Sequence, residues 1–155
     1  MIIKKLLVVL TIVALFVSCE SKKETVTSKK FNSKSDPHVD LSLAVEEAQS
    51  AGKRILIEVG GDWCKWCHIL DDFIKKTPEV KSLLEKNYVY VKVNYSEENK
   101  NEKFFMKFPM IQNYPHFFVL DKTGMVLQSQ ETKELEEGNS YNKQKMLDFL
   151  KQWAG

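Results

Sequence analysis

Apolar and polar positions fall into blocks along this chain, and each block has its own period. Residues 6–17 form an apolar run of twelve positions broken only by Thr11 and preceded by Lys4 and Lys5. Residues 20–37 are mainly Ser, Lys, Thr, Glu and Asn, a composition that cannot bury enough surface to offset the entropy of ordering it. From about Val39 the pattern becomes that of a folded domain. Leu41, Ala44, Val45 and Ala48 recur at helical spacing until Gly52, a C-terminal stop. Residues 55–59 are a short apolar run of strand type, and Gly60-Gly61-Asp62 turns the chain into a second helix. Thr77-Pro78-Glu79 supplies an N-cap, a proline at the first helical position and an acid in the first turn of a third helix running to about Lys86.

Residues 88–93 alternate as a strand. A charged stretch over 96–103 leads into a short helix at Phe104-Phe105-Met106. Residues 116–120, the turn Asp121-Lys122-Thr123-Gly124 and residues 125–129 predict a β-hairpin. Residues 131–138 read as an acidic loop, and 141–153 as a final helix with Met146, Phe149, Leu150 and Trp153 on one side. The order helix, strand, helix, helix, strand, helix, hairpin, helix predicts an α/β domain: a mixed central β-sheet with helices on both faces. No internal repeat is visible, and 155 residues suit one domain.

The two N-terminal blocks change the picture of where the domain works. A positive start followed by a short apolar run is the pattern of a signal peptide, and a membrane span needs about 20 apolar residues. Val17-Ser18-Cys19 then places a small residue before a cysteine. This resembles the bacterial lipobox, with Phe16 where that motif has an aliphatic residue. The resemblance implies removal of residues 1–18 and lipid attachment at Cys19, and the polar composition that follows reads as a flexible tether over 19–37. About 17 tether residues reach roughly 20–25 Å. Lipidation also removes the odd thiol among the three cysteines, which an oxidising compartment would otherwise leave reactive. Loss of Lys4 and Lys5 leaves 21 basic residues against 21 acidic ones. A formally neutral chain without a basic stripe gives no case for nucleic-acid binding.

The candidate chemistry lies in Asp62-Trp63-Cys64-Lys65-Trp66-Cys67-His68. Two cysteines three apart at the start of a helix can close a disulfide within one turn. Cys64 sits where free backbone N–H groups and the helix dipole stabilise a thiolate, the nucleophile of disulfide exchange. Lys65 adds a positive charge beside it, so the Cys64 thiol is expected to ionise below its ordinary range. Cys67, one turn on and more buried, then attacks the mixed disulfide and releases product.

The segment resembles the thioredoxin family, and the resemblance runs from about residue 41 to the C-terminus. Trp63 precedes the first cysteine as in the family's Trp-Cys-x-x-Cys motif. Glu58, six residues before Cys64, stands where thioredoxins have a buried acid that relays a proton to or from the second cysteine. Lys92 matches the lysine facing that acid. Tyr114-Pro115 matches the cis-proline whose loop packs on the redox pair and offers backbone to substrate. By resemblance, then, the fold is thioredoxin-like over 38–155; Cys64, Cys67, Glu58 and Lys92 are catalytic; Trp63, Tyr114 and Pro115 border the substrate. Trp66 and His68 read as flanking residues, and His38 and His116 as solvated ones. Two departures stand out. Lys65-Trp66 replaces the family's Gly-Pro, which favours a more stable Cys64 thiolate and a more oxidising disulfide. Glu58 replaces Asp and is expected to titrate jointly with Lys92.

The same residues fit other chemistry. Cys64-Lys65-Trp66-Cys67-His68 satisfies the attachment signature for c-type haem. Two thiolates and His68 also offer three ligands to copper or zinc, one fewer than a structural zinc site normally uses. The expectation that best joins the separated features is an envelope thiol-disulfide oxidoreductase with no bound cofactor and no metal. Its partners are then protein thiols or disulfides, a membrane or envelope redox partner and the membrane itself through Cys19.

Overall fold

A computed structural model describes residues 30–155; the segment read as a signal peptide and the lipidation candidate Cys19 lie outside the described residues. The apolar run after Gly52 forms the central strand β1 (Arg54–Gly60). It pairs in parallel with β2 (Tyr88–Asn94) and antiparallel with β3 (His116–Leu120), which pairs antiparallel with β4 (Val126–Glu131). The sheet order is β2-β1-β3-β4. β1 and β3 are interior strands with both faces covered, which is why they read as continuous apolar runs.

Alternation along the strands sorts the core into two layers. Ile55, Ile57 and Val59 with Val89, Val91, Val93, Phe118 and Leu120 pack under α1 (Pro37–Ala51) through Ala44 and Ala48. Phe104 of α4 (Glu102–Phe105) joins the same layer. Leu56, Phe117 and Val119 face the other way, onto Leu70 and Ile74 of α2 (Lys65–Lys76) and Val80 and Leu84 of α3 (Pro78–Asn87). Met146, Phe149 and Leu150 of α5 (Lys143–Gln152) close that layer. The mixed sheet with helices on both faces is therefore observed as the element order implied. Glu58 and Lys92 share the parity of Leu56 and Tyr88, so they point into the layer beneath α2.

Helix ends follow their local chemistry. Asp36 accepts from the backbone N–H of His38 ahead of Pro37, and Gly52 adopts φ 65° where α1 stops. Asn142 caps α5 by accepting from Lys145 N–H, so this helix starts two residues later than the periodicity indicates, and Tyr141 belongs to a strand instead. The acidic stretch after β4 is also more ordered than a loop. Thr132–Leu135 forms a 3-10 turn, and β5 (Glu136–Glu137) pairs antiparallel with β6 (Ser140–Tyr141). The cause is that Thr132, Leu135 and Tyr141 are buried, anchoring a segment whose acidic side chains point outward.

Of the stretch read as tether over 19–37, the described part, from residue 30, departs from that reading at Phe31. Phe31 is buried and packs on Cys64 and Cys67. The packed domain thus starts ahead of α1, at the one aromatic residue of that stretch. Gly60 at the end of β1 makes this fit possible. A Cβ there would collide with Cys67 Sγ and stand 3.0 Å from Phe31 Cζ. Gly60→Ala is expected to destabilise the oxidised protein by about 1–3 kcal/mol, the ordinary cost of overpacking. Denaturant unfolding checks this, and an unchanged midpoint would contradict the packing.

Candidate active site

The turn after β1 brings two cysteines to the start of α2. Cys64 is the N-cap residue and Cys67 lies in the first turn. A disulfide joins them with their Cα atoms 5.3 Å apart. The Cys67 backbone N–H points at Cys64 Sγ, 3.1 Å away. Once reduced, Cys64 would therefore keep a donor on its sulfur in addition to the helix dipole. Both cysteines are buried, at 3% and 1% exposure, so the first is as covered as the second. Phe31, Trp66 and Tyr114 supply the cover.

One side of the pair is an aromatic rim. Trp63 is 57% exposed, and its indole N–H donates to the Tyr95 carbonyl at 2.7 Å. Its ring meets Tyr114 edge-on at 5.5 Å, and Tyr114 stacks on Tyr95 at 5.0 Å. Tyr114-Pro115 is a cis peptide bond. The Pro115 carbonyl is held by Thr132 Oγ1, which donates to it at 2.6 Å. Trp63, Tyr114 and the pair are thus brought together, with Pro115 fixed from the far side.

A group of buried charges shares Phe31 with the pair. Glu58 and Lys92 are register partners on β1 and β2. Lys92 Nζ is 3.4 Å from Glu58 Oε2, with side-chain exposures of 2% and 0%. Tyr90 O–H donates to the same Glu58 oxygen, and Lys92 makes its closest contact with Asp71 Oδ1 of α2. Glu58 Oε1 has no partner. Phe31 lies over the ammonium, 4.7 Å from ring centroid to Nζ. Burial pushes the Glu58 carboxyl up to about 7, with Lys92 and Tyr90 acting in the opposite sense. Burial and the neighbouring Glu58 charge also push the Tyr90 hydroxyl well up, so it stays a neutral donor.

Sequence reasoning missed Phe31, Tyr90, Asp71 and Thr132. Asp71 follows Cys67 by four residues, one helical turn along the same face, and Tyr90 precedes Lys92 by two on one strand face; both spacings were legible. Thr132 carries no local signal. His116 is not solvated. It is 2% exposed, its Nε2 lies 2.8 Å from Ser129 Oγ, and burial pulls it below the usual histidine range against a smaller opposing effect of Glu131. His68 is exposed and engages the Asp62 carbonyl through Nε2 at 2.8 Å. Among the described residues, no group of three or more His, Cys, Asp and Glu side chains is placed to hold a metal ion.

A family profile described as thioredoxin-like matches residues 36–122. Human Spermatogenesis-associated protein 20 is 32% identical over 65 residues, 42% of this chain and 8% of that protein. The chain therefore matches only a small part of that curated relative's length. The disulphide isomerase of Xylella fastidiosa Temecula1 superposes with a TM-score of 0.67 at 20% identity, over 78% of this chain and 93% of that one. The oxidised C-terminal domain of Neisseria meningitidis DsbD superposes with a TM-score of 0.57 at 13% identity, over 77% of this chain and 97% of that one. At these identities the structures share the fold.

The raised Glu58 carboxyl has a consequence for stability. Between its ordinary range and about 7 the folded protein holds a proton there that the unfolded chain has lost. Stability from this group is full at low pH and falls as pH rises through about 7, by on the order of 3 kcal/mol. The depressed His116 acts with the opposite sign, since the unfolded chain binds its proton first. The measurement is therefore a difference. The stability of the oxidised wild type minus that of Glu58→Gln is expected to decrease from pH 5 to pH 8, and a flat difference would show Glu58 to be ionised throughout.

Proposed function

The chain belongs to the thioredoxin-like family, and we propose that it is a thiol-disulfide oxidoreductase acting on protein thiols and disulfides in a bacterial cell envelope. One observation carries the reading: a redox-capable pair at a helix N-cap, bordered by an aromatic rim and the cis-Pro115 loop, over a buried acid that holds a proton near neutral pH. In the reducing direction the Cys64 thiolate attacks a substrate disulfide. A Cys64–substrate disulfide forms and the first substrate sulfur leaves as a thiolate. Cys67 then loses its proton to the Glu58 carboxylate and attacks Cys64 Sγ. The Cys64–Cys67 disulfide closes and the second substrate sulfur leaves. Two electrons have passed from the enzyme dithiol to the substrate. A thiol-bearing envelope partner restores the dithiol.

The location follows from sequence pattern. Residues 1–18 act as a signal and Cys19 carries lipid, and the tether ends near residue 30, where Phe31 docks. The aromatic rim at Trp63 and Tyr114 would flank an extended substrate laid beside Pro115.

Two outcomes test the chemistry. With insulin as a disulfide-bonded test substrate, Cys67→Ser is expected to accumulate a covalent adduct through Cys64 that wild type does not retain. Absence of adducts would remove either the exchange mechanism or the choice of nucleophile. In the reduced protein, the rate of Cys64 alkylation against pH is expected to inflect below the ordinary thiol range, since the Cys67 N–H and the helix N-terminus favour the thiolate. An inflection at or above that range would mean the N-cap does not activate this sulfur.

A further inference from the structure

Lys92 does not serve Glu58 alone. Its ammonium lies closer to Asp71 Oδ1 than to Glu58 Oε2, which is 3.4 Å away. Asp71 comes from α2, the helix that carries Cys67, and its side chain is 26% exposed where Glu58 is fully buried. The lysine therefore spans a carboxyl without water and a carboxyl in partial contact with it. Both contacts to Glu58, from Lys92 and from Tyr90, fall on Oε2. Oε1 is buried without a partner and is the oxygen left open to a proton.

Resting on the disulfide-exchange reading, we propose that Asp71 is a positioning residue. It draws the Lys92 ammonium away from Glu58, so that the Glu58 carboxyl, rather than the lysine, carries and releases the proton exchanged with Cys67. A lysine committed to Glu58 would fix that carboxyl as an ion pair, leaving it a poor acceptor for a thiol proton. A lysine shared with Asp71 leaves Glu58 only partly compensated. The titratable and charged groups acting on Glu58 are Lys92 and Tyr90 of β2 and Asp71 of α2, and Glu58 in turn acts on Tyr141 of β6. The Asp71 and Tyr90 groups act directly on Glu58: the Asp71 charge raises the Glu58 carboxyl, and the Tyr90 hydrogen bond lowers it. Phe31 joins the charges to the sulfur by packing on both Cys67 and the Lys92 ammonium.

The test follows the Glu58 carboxyl carbon by NMR in the oxidised full chain across pH, for wild type, Asp71→Asn and Asp71→Glu. In parallel, insulin release from the Cys64 mixed disulfide is timed against pH. Asp71→Asn is expected to lower the Glu58 midpoint by about 1 on the pH scale, and the pH of half-maximal release is expected to fall with it. Asp71→Glu restores both toward wild type. A purely structural ion pair would change stability and leave both midpoints where they were, which overturns the proposal. Should Asp71→Asn not fold, the wild type still decides: a Glu58 midpoint in the ordinary carboxyl range would show no sharing of Lys92. Insulin adducts in Cys67→Ser with an unmoved Glu58 midpoint overturn the role of Asp71 and keep exchange. A moved midpoint without adducts overturns exchange, and the role with it.

Discussion

A carboxyl and an ammonium side by side out of water set the terms for everything built around them. Removing each ion from water costs several kcal/mol, and their mutual attraction offsets this only when the remaining hydrogen-bonding capacity is also met. Glu58 and Lys92 sit in parallel register on neighbouring strands, so the sheet itself fixes their approach. The rest of the site reads as a set of answers to that burial. Tyr90 donates to one Glu58 oxygen, Asp71 takes the nearest share of the ammonium, and Phe31 covers its outer side. One oxygen is left unanswered, and it belongs to the group that holds a proton near neutrality. A buried polar atom without a partner costs about 1–3 kcal/mol, and a protonated carboxyl bears that cost more easily than a carboxylate.

The same burial explains why the pair of cysteines needs its own cover. Cys64 and Cys67 share Phe31 with Lys92, and Gly60 has no side chain because Cys67 and Phe31 fill that space. Sulfur, ring and ammonium are packed as one unit, at the sheet end where β1 turns into α2. A change at any one of them is felt by the others through contact, with no need for a longer path.

Much of this was legible in the sequence, and the parts that were not share a cause. The strands, the layers and the helix that carries the cysteines follow from period and capping, which are local properties. Glu58, Lys92, Tyr114 and Pro115 are placed by resemblance to a family; the structure packs Tyr114 on the pair and sets Glu58 and Lys92 against each other. Phe31 was lost because a single aromatic in a polar stretch has no period; only contact with a distant helix gives it meaning. The 131–138 segment read as an acidic loop for the same reason, since Thr132 and Leu135 take their order from burial against the domain. His116 read as solvated because it stands at the first position of β3, ahead of the apolar run that marks the strand as covered.

Asp71 separates what the core of this chain requires from what its buried charges require. Structures superposing at 13% and 20% identity share the fold of this chain, whose layers follow from the apolar periodicity of its core. In this chain the two cysteines sit where β1 ends in a turn and α2 begins. Charge partition has a separate origin in this chain. It depends on one acid placed a helical turn after Cys67, one tyrosine two residues before the lysine, and a glutamate long enough to leave an oxygen free. The turn from β1 into α2 therefore sets where the two sulfurs of this chain sit. How readily a proton moves there is decided by side chains that could change without disturbing a single strand.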